Sequence, residues 1–484
     1  MKIYDTRYKQ KVDFIPIKSK QVRIYVCGPT VYDDAHLGHA RSSIVFDLLR
    51  RTFMALGYKV LFVKNFTDID DKIINKANAN NCTPEAIAQR YTQSYLNDME
   101  ALGVLPPDSM PKATENLDQI IMLIKKLLAN NIAYQLENGD IYLNVPKDTH
   151  YGSISSRGID DENQARITND EHKKDLRDFA LWKSYKGTND VGYESPFGRG
   201  RPGWHIECSA MIEEVLAYQD EPYAIDIHGG GVDLLFPHHE NEASQTRCAT
   251  GHELAKYWMH NGFVNINGEK MSKSLGNSFF IKDALKVYSG EVLRNYLLGV
   301  HYRAILHFNE EDLLTAKKRL DKIYRLKKRI ASGFPNGIIE AHEYLKKQVE
   351  SKDMVDTAFC EAILEAMCDD LNISKALSIV EEMLNAANIA LDASPKDKML
   401  KVKLLANLDF LSRLLGIGGS DEVSYFQQGV DTAQKEHIET ILKERTRAKQ
   451  NKDYARADSL RVELEKMGIL LSDTPNGTIW EKVE

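Results

Sequence analysis

The sequence predicts an α/β protein with a Rossmann-like parallel sheet in its first domain, followed by an α-helical bundle and a small mixed C-terminal module. Three observations carry this prediction. Residues 22–63 run strand, glycine-containing turn, helix and strand, which is the order of a βαβ unit. A chain of 484 residues is too long for one hydrophobic core. Beyond about residue 312 the composition becomes helical and charged.

The βαβ unit is read from its apolar periodicity. Residues 22–26 predict a short buried strand, and the dipeptide 28–29 (Gly-Pro) interrupts it. Apolar residues then recur at helical spacing over 38–56, and Gly57 is a suitable helix stop. Residues 58–63 form a second β-branched and aromatic run. Because ligands bind at the carboxyl ends of parallel strands, the turn after the first strand is expected to face the ligand crevice.

Two short motifs in this sequence suit phosphate binding. His36, Gly38 and His39 fall at the predicted helix start, where free N–H groups and the helix dipole favour an anion. Imidazoles add hydrogen-bond donors, and Gly38 lets a ligand approach the backbone. Residues 270–274 (KMSKS) follow the hairpin turn Asn267-Gly268. Taken singly, the first motif is more often an ordinary histidine pair and the second a solvated loop.

Composition bounds the remaining possibilities. Lys and Arg number 63 against 70 Asp and Glu, a net charge of −7, so any contact with nucleic acid must use local basic surface. The six cysteines lack a pairing pattern, which argues against a disulfide framework. With no apolar run of spanning length and no signal-peptide pattern, we expect a cytoplasmic protein with no membrane contact.

The domain boundaries follow from shifts in composition. The first domain is expected over residues 1–311, with an insertion at about 110–200 and the KMSKS region within 262–311. A helical bundle is expected over 312–415, where a basic stretch at 317–329 is either a solvated helix face or an RNA contact. Residues 416–431 are predicted to be a linker, and 432–484 a small C-terminal module.

Four residues distant in sequence form a candidate metal site. His238 and Glu242 are four residues apart, which on a helix places both on one side. Cys27 ends the first strand, and Cys208 is expected on a strand at 204–211 that opens onto the same sheet edge. Two thiolates, an imidazole and a carboxylate suit Zn²⁺. His239 is an alternative ligand, and a closed zinc that only joins strands is an alternative to a substrate site.

The two phosphate-type motifs, in this order, resemble the HIGH and KMSKS signatures of class I aminoacyl-tRNA synthetases. Longer segments narrow the resemblance to the cysteinyl-tRNA synthetases, over nearly the whole chain. These segments are residues 25–39, 65–72, 203–211, 228–242 (HGGGVDLLFPHHENE), 269–277 and 452–480.

The resemblance implies ATP-dependent ligation of L-cysteine to its tRNA through a cysteinyl-adenylate, with Mg²⁺ accompanying ATP. It assigns one zinc ion, which binds the substrate thiolate, to Cys27, Cys208, His238 and Glu242. It assigns catalysis to His36, His39, Lys270 and Lys273. ATP binding is expected at Thr30, His36, Gly38, His39, Gly230, Asp233 and Lys273. Cysteine binding is expected at Gly28, Thr67, Trp204 and His228.

The tail resembles the family's anticodon-recognition regions, so tRNA is the expected macromolecular partner and the enzyme is expected to be a monomer. Arg445, Arg447, Asp473 and Trp480 are candidates for phosphate pairing, base-edge hydrogen bonds and stacking. Three rival interpretations stay open from sequence. They are a ligase that passes cysteine to an amino sugar, a non-catalytic tRNA-binding paralogue, and a zinc hydrolase.

Overall fold

A computed structural model describes residues 1–156, 173–266, 269–270, 279–348, 356–474 and 477–483, with backbone alone at 269–270, 348 and 474. The chain divides into two compact units. The first unit comprises Met1–Lys282, Val300–Phe308 and Met367–Asn372. The second comprises Asp283–Gly299, Asn309–Ala366 and Ile373–Glu484.

The strands and helices alternate through the first unit, and helices dominate the second. The strands are β1 (Lys2–Asp5), β2 (Gln10–Asp13), β3 (Gln21–Val26), β4 (Lys59–Lys64), β5 (Ala133–Gln135), β6 (Ile141–Leu143), β7 (Phe179–Ser184), β8 (Gly200–Pro202), β9 (Tyr223–Gly231), β10 (Glu253–Asn261), β11 (Val264–Ile266), β12 (Glu269–Lys270), β13 (Leu306–His307), β14 (Ile469–Thr474) and β15 (Gly477–Lys482). The helices are α1 (Leu37–Ala55), α2 (Asp71–Ala79), α3 (Pro84–Ala101), α4 (Leu117–Ala129), α5 (Trp204–Val215), α6 (Glu240–Thr250), α7 (Ile281–Ala284), α8 (Gly290–Leu298), α9 (Glu310–Ala331), α10 (Gly337–Gln348), α11 (Thr357–Cys368), α12 (Ile373–Ala393), α13 (Lys398–Leu415), α14 (Glu422–Phe426), α15 (Thr432–Gln450) and α16 (Tyr454–Lys466).

The core of the first unit is a parallel four-stranded sheet in the order β10-β9-β3-β4. The predicted βαβ unit is confirmed as β3, α1 and β4, and Gly57 after the helix has φ +78°. Strand β3 pairs with β4 on one side and with β9 on the other, placing Val26 opposite both Lys64 and Gly229. The carboxyl ends of these strands therefore share one edge, where parallel sheets bind their ligands.

The prediction of a strand at residues 204–211 is wrong, because this segment belongs to helix α5. Every residue from Ile206 to Ile212 is buried. A helix covered on all sides leaves no alternation of polar and apolar residues, so its run cannot be told from a buried strand. The chain does return to strand at β9, and then turns at Leu235–His239 into α6.

The insertion region carries its own antiparallel sheet in the order β5-β6-β7-β8. Helix α4 packs its apolar face on this sheet, in a core that includes Ile124, Leu181 and Trp182. The hairpin between β5 and β6 turns at Gly139, which has φ +90° and so favours glycine.

The second unit contains the predicted helices and a C-terminal hairpin of β14 and β15. Residues 416–431, predicted to be a linker, pack against α9. They contain α14, whose Tyr425 ring stacks on Tyr324 of α9 at a centroid distance of 3.8 Å. Lys327, also on α9, donates hydrogen bonds to the carbonyls of Gly418 and Ser420. The basic helix thus uses at least one of its lysines internally.

Three of the four candidate RNA-contacting residues make contacts inside the C-terminal module. Trp480 is 4% exposed and packs in a core with Ile438 and Leu464, so its ring offers no exposed face on which a base could stack. Arg445 is buried and donates two hydrogen bonds to Asp473, at 2.9 and 3.1 Å. An aromatic residue on a two-stranded hairpin packs on the helices because a lone hairpin has no other core.

The turn before α12 holds a buried carboxylate that organises the first unit. Asp370 has φ +59° and is fully buried. It accepts hydrogen bonds from the Tyr4 backbone N–H (2.8 Å), the Tyr302 hydroxyl (2.6 Å) and Arg303 Nε (2.9 Å). Its three donors lie more than sixty residues away in sequence, so Asp370 joins distant parts of the chain.

We expect Asp370→Ala to lower the free energy of unfolding by about 3 kcal/mol, because it leaves the buried Tyr302 hydroxyl and the Tyr4 backbone N–H without their acceptor and removes the ion pair with Arg303. Urea and thermal unfolding measure the change. The matched control is Asp369→Ala, which removes a surface ion pair with Lys11 and is expected to cost less than ~1 kcal/mol. Equal losses in the two variants would contradict this role for Asp370.

Candidate active site

Four elements bring the predicted metal ligands to the carboxyl edge of the sheet. Cys27 follows β3 directly, and Cys208 lies on α5. His238 lies in the turn that precedes α6, and Glu242 lies in the first turn of that helix. All four side chains are buried. Residues separated by up to 215 positions therefore meet in one cluster.

The ligand atoms of the four residues are within bonding reach of a common centre. Cys27 Sγ is 3.8 Å from Cys208 Sγ and 3.4 Å from Glu242 Oε1. His238 Nε2 is 3.6 Å from Cys208 Sγ and 2.7 Å from Glu242 Oε1. A tetrahedral zinc with bonds of about 2.0–2.3 Å needs donor separations of roughly 3.3–3.8 Å. Three of these four distances fall in that range, and the fourth is a hydrogen bond. The donor set and its spacing fit Zn²⁺.

The charges in this cluster are arranged for a cation. The hydrogen bond from the Cys27 thiol lowers the pKa of Cys208 to about 6, against the effect of burial. Burial opposes the charged form of His238, but the Glu242 carboxylate outweighs it and raises the pKa of His238 to about 10. Burial also opposes the charged form of Glu242, and the facing His238 and His228 hold its pKa well below the ordinary value. Burial raises the pKa of Cys27. These contacts favour an ionised Cys208 and an ionised Glu242 beside a protonated His238 in the metal-free protein.

A second set of four ligand atoms lies in the same place: Cys27, Glu242, His228 and His239. It offers a single thiolate. In this set His239 Nδ1 is 2.8 Å from His260 Nε2, and His228 Nε2 is 2.7 Å from Glu242 Oε2. His228, expected to line the cysteine pocket, is fully buried beneath Glu242. It therefore orients one oxygen of that carboxylate while the other faces the thiols.

The other expected cysteine-binding residues lie on different elements, and one of them contacts the cluster. The Trp204 ring stacks on the His238 ring at a centroid distance of 4.1 Å and is partly exposed. The Thr67 hydroxyl donates to Glu207 Oε2 at 3.2 Å. A Cβ on Gly28 would lie 1.6 Å from the Asn65 carbonyl oxygen, so any side chain there would push apart the segments that follow β3 and β4. Trp204 therefore contacts one proposed metal ligand, His238, and Gly28 directly follows another, Cys27.

The two histidines of the first phosphate motif form a reciprocal cap at the start of helix α1. His36 Nδ1 accepts a hydrogen bond from the His39 backbone N–H (3.4 Å), and His39 Nδ1 accepts one from the His36 N–H (3.3 Å). The two rings stack at a centroid distance of 3.8 Å. A neutral imidazole that accepts through Nδ1 carries its proton on Nε2. Both rings are thus set to donate from Nε2.

Four further described residues expected to bind ATP or to act in catalysis belong to strands of the first unit or follow them closely. Thr30 forms a parallel bridge with Thr67 beside the sheet edge. A Cβ on Gly230 would press on the His239 ring and Leu234 at 3.0 Å, so Gly230 serves internal packing as well. Asp233 is exposed in the turn after β9. Lys270 lies on β12 with its backbone paired to Asn265, and Lys273 lies outside the described residues.

Sequence reasoning missed two residues that contact this site. His205 Nδ1 is 2.8 Å from His238 Nδ1, so it holds the ring of a proposed ligand by its outer nitrogen. Glu207 is buried beside Cys208 and bonds to Thr67. His205 could have been found had the segment been read as a helix, because His205 and Cys208 are three residues apart and would share a face. No such spacing marks Glu207.

Comparisons with known proteins first define the class of this protein and then its family. Residues 13–318 match the family model described as "tRNA synthetases class I (C) catalytic domain". The methionyl-tRNA synthetase of Mycobacterium tuberculosis in complex with methionyl-adenylate shares the fold, with a TM-score of 0.57, 14% identity, and coverage of 87% of this chain and 94% of that one. The fold and the catalytic-domain match define a class I aminoacyl-tRNA synthetase.

The particular family follows from closer relatives. A cysteine–tRNA ligase of Helicobacter hepaticus is 60% identical over 485 residues, covering 99% of each chain. One of Wolinella succinogenes is 59% identical over 482 residues, covering 100% of this chain and 99% of that protein. Residues 362–418 match a DALR domain, and 431–480 match the cysteinyl-tRNA ligase anticodon binding domain. The chain belongs to the cysteinyl-tRNA synthetase family.

None of the helices in the described part of the chain has the length and apolar character that a membrane crossing needs.

Proposed function

We propose that this enzyme uses ATP to join L-cysteine to its cognate tRNA through a cysteinyl-adenylate, and that it recognises the substrate side chain with one zinc ion. The observation that carries the proposal is the cluster of Cys27, Cys208, His238 and Glu242 at the ligand-binding edge of a class I synthetase sheet. The names of its close relatives support the same activity.

Zinc would be held by these four side chains and would supply selective binding of a thiolate. The selectivity problem is severe, because cysteine and serine differ by one atom and size alone discriminates by only ~1–3 kcal/mol. A serine hydroxyl stays protonated near neutral pH and is a poor zinc ligand. The chain's own contribution is orientation: His228 and His205 hold the outer atoms of Glu242 and His238. Such outer contacts fix the geometry of ligands.

In the first step the cysteine carboxylate attacks the α-phosphorus of ATP, forming cysteinyl-adenylate and releasing pyrophosphate. Charge builds on phosphate oxygens, so positioned donors and cations stabilise the transition state. We assign the Nε2–H groups of His36 and His39 to these oxygens, because their Nδ1 atoms already accept hydrogen bonds. Lys270 and Lys273 are proposed to bind the triphosphate with Mg²⁺. Gly38, Thr30, Gly230 and Asp233 are proposed to border the nucleotide.

In the second step the terminal adenosine of tRNA attacks the adenylate carbonyl through its 2′-hydroxyl and releases AMP. The match of residues 431–480 to an anticodon-binding domain supports tRNA as the acceptor over an amino sugar. Arg447 on α15 remains a candidate RNA contact, and Asp473 is held by Arg445 and Lys449. A monomeric, cytoplasmic enzyme, as expected from the sequence, stays part of the proposal.

The experiment that tests this function is cysteine-dependent ATP–pyrophosphate exchange, combined with metal analysis and tRNA charging. We expect exchange that requires L-cysteine, about one zinc per chain, and transfer to tRNA for cysteine. Exchange without charging would favour the ligase with another acceptor. Absence of exchange in the zinc-loaded protein would favour a non-catalytic paralogue.

The protonation states of the site predict that zinc binding releases protons. At pH 7.5 the Cys208 thiol, with a pKa of about 6, is already ionised, whereas His238, with a pKa of about 10, and Cys27, with a raised pKa, hold theirs. All ligands must be deprotonated to bind, so about two protons leave and zinc affinity rises with pH. Titration calorimetry of the metal-free protein in buffers of different ionisation enthalpy counts them. Zinc binding with no proton release would contradict this ligand set.

A further inference from the structure

The start of helix α1 is hydrogen-bonded to the chain on both sides of the KMSKS motif. On the C-terminal side of the motif, the Leu37 backbone N–H donates to the Phe279 carbonyl at 3.1 Å. The Ile281 N–H donates to the Ala35 carbonyl at 2.9 Å. These two bonds flank His36, so the residues that follow the motif are fixed to the histidine motif by backbone contacts.

On the N-terminal side of the motif, the contact is made by the side chain of Arg41. Arg41 lies two residues after His39 on α1 and is fully buried. Its Nη1 donates to the Phe263 carbonyl at 2.6 Å, just before β11. Its Nη2 reaches the carbonyls of Ala304, His301 (3.2 Å) and Tyr302 (3.3 Å), in the segment before β13, which pairs with β11. One guanidinium thus contacts the segments that precede both of these strands.

A buried cation is an expensive way to pack a helix, because an apolar side chain of similar volume usually stabilises as well or better. What the guanidinium adds is geometry: its planar fork of five donors fixes the direction of several carbonyls at once, which a lysine ammonium does not. Asp370 also restrains this segment, through its hydrogen bonds with Tyr302 and Arg303.

We propose that Arg41 is a positioning residue for adenylate formation: it holds β11, which leads towards residues 270–274, and its partner strand β13 at a fixed place relative to His36 and His39. This inference rests on the proposed function. Catalysis by groups from two motifs depends on their mutual placement, and a displacement of about 1 Å can cost ~100-fold in rate. Arg41 itself touches neither substrate nor reacting atoms.

The test compares Arg41→Ala and Arg41→Lys in the full-length, zinc-loaded protein. We expect kcat for cysteine-dependent pyrophosphate exchange to fall about 100-fold in Arg41→Ala and less in Arg41→Lys. Zinc content and the KM for cysteine are expected to stay at wild-type values. Guanidinium at millimolar, non-denaturing concentration is expected to restore part of the rate in Arg41→Ala, whereas methylammonium is not. Arg294→Ala is the matched control, since it removes another fully buried arginine, bonded to the Leu415 carbonyl in the second unit.

The outcomes separate the two proposals. Arg294→Ala should lower the melting temperature and leave the exchange kcat unchanged. A folded Arg41→Ala enzyme with wild-type kcat would overturn the positioning role. So would a loss that follows the folded fraction and is not rescued. Should Arg41→Ala fail to fold, a folded Arg41→Lys enzyme with wild-type kcat would overturn it equally. A wild-type enzyme without cysteine-dependent exchange would instead refute the proposed function.

Discussion

Replacing Cys208 by alanine is expected to abolish zinc binding and cysteine recognition together. Cys208 Sγ lies 3.8 Å from Cys27 Sγ and 3.6 Å from His238 Nε2, so the change removes one corner of the cluster. Losing a residue that only hydrogen-bonds to a metal ligand costs about 10–100-fold in metal affinity, and losing a ligand itself should cost more. The KM for cysteine should rise in parallel, because the metal is the proposed contact for the substrate sulfur. Metal analysis and exchange kinetics measure both quantities.

The matched control is Cys248→Ala, a cysteine on the same helix as Glu242 that belongs to neither candidate ligand set. It should retain zinc and the KM for cysteine. A Cys208→Ala enzyme that loses zinc but keeps its affinity for cysteine would make the metal structural. One that keeps zinc would direct attention to the set with His228 and His239.

Replacing Lys273 by alanine is expected to slow adenylate formation by ~100–1000-fold, the cost of removing one group that stabilises developing charge. The resemblance assigns this lysine to the triphosphate, so the loss should fall on kcat for pyrophosphate exchange. Zinc content should remain intact, since the metal ligands belong to other segments. Single-turnover formation of cysteinyl-adenylate measures the chemical step directly.

A suitable control for that variant is Lys286→Ala. The Lys286 side chain is 73% exposed and pairs with Asp283 three residues away on the surface. Its removal should leave the exchange rate unchanged. Equal rates for wild type and Lys273→Ala would remove Lys273 from the mechanism and leave the donors of α1 as the main stabilising groups.

The sequence predicted the centre of this enzyme better than its surroundings. The βαβ unit was legible because β3 and β4 are short apolar runs around a long helix with a glycine stop. Cys27, Cys208, His238 and Glu242 could be grouped from ligand chemistry, although Cys208 was expected on a strand. Helix α5 is buried on all sides over residues 206–212, and such a run carries no periodicity to reveal it.

Other details depend on tertiary contacts that no local pattern encodes. The family resemblance assigns both His228 and Trp204 to the cysteine pocket, yet His228 lies beneath Glu242 and Trp204 stacks on His238. In the sequence Trp480 is a candidate for base stacking, but in the structure the C-terminal hairpin packs it against α15 and α16. Arg41 looks like an ordinary helix arginine, and only its four carbonyl partners, far away in sequence, disclose a role.

The central claim is that the substrate sulfur is read by direct coordination, and zinc-edge X-ray absorption of the holoenzyme tests it most directly. Without cysteine, the spectrum should fit about two sulfur neighbours at ~2.3 Å, from Cys27 and Cys208. Addition of L-cysteine should increase the sulfur count to about three at that distance, and L-serine should not change it. A sulfur count that stays constant on saturation with cysteine would contradict the claim.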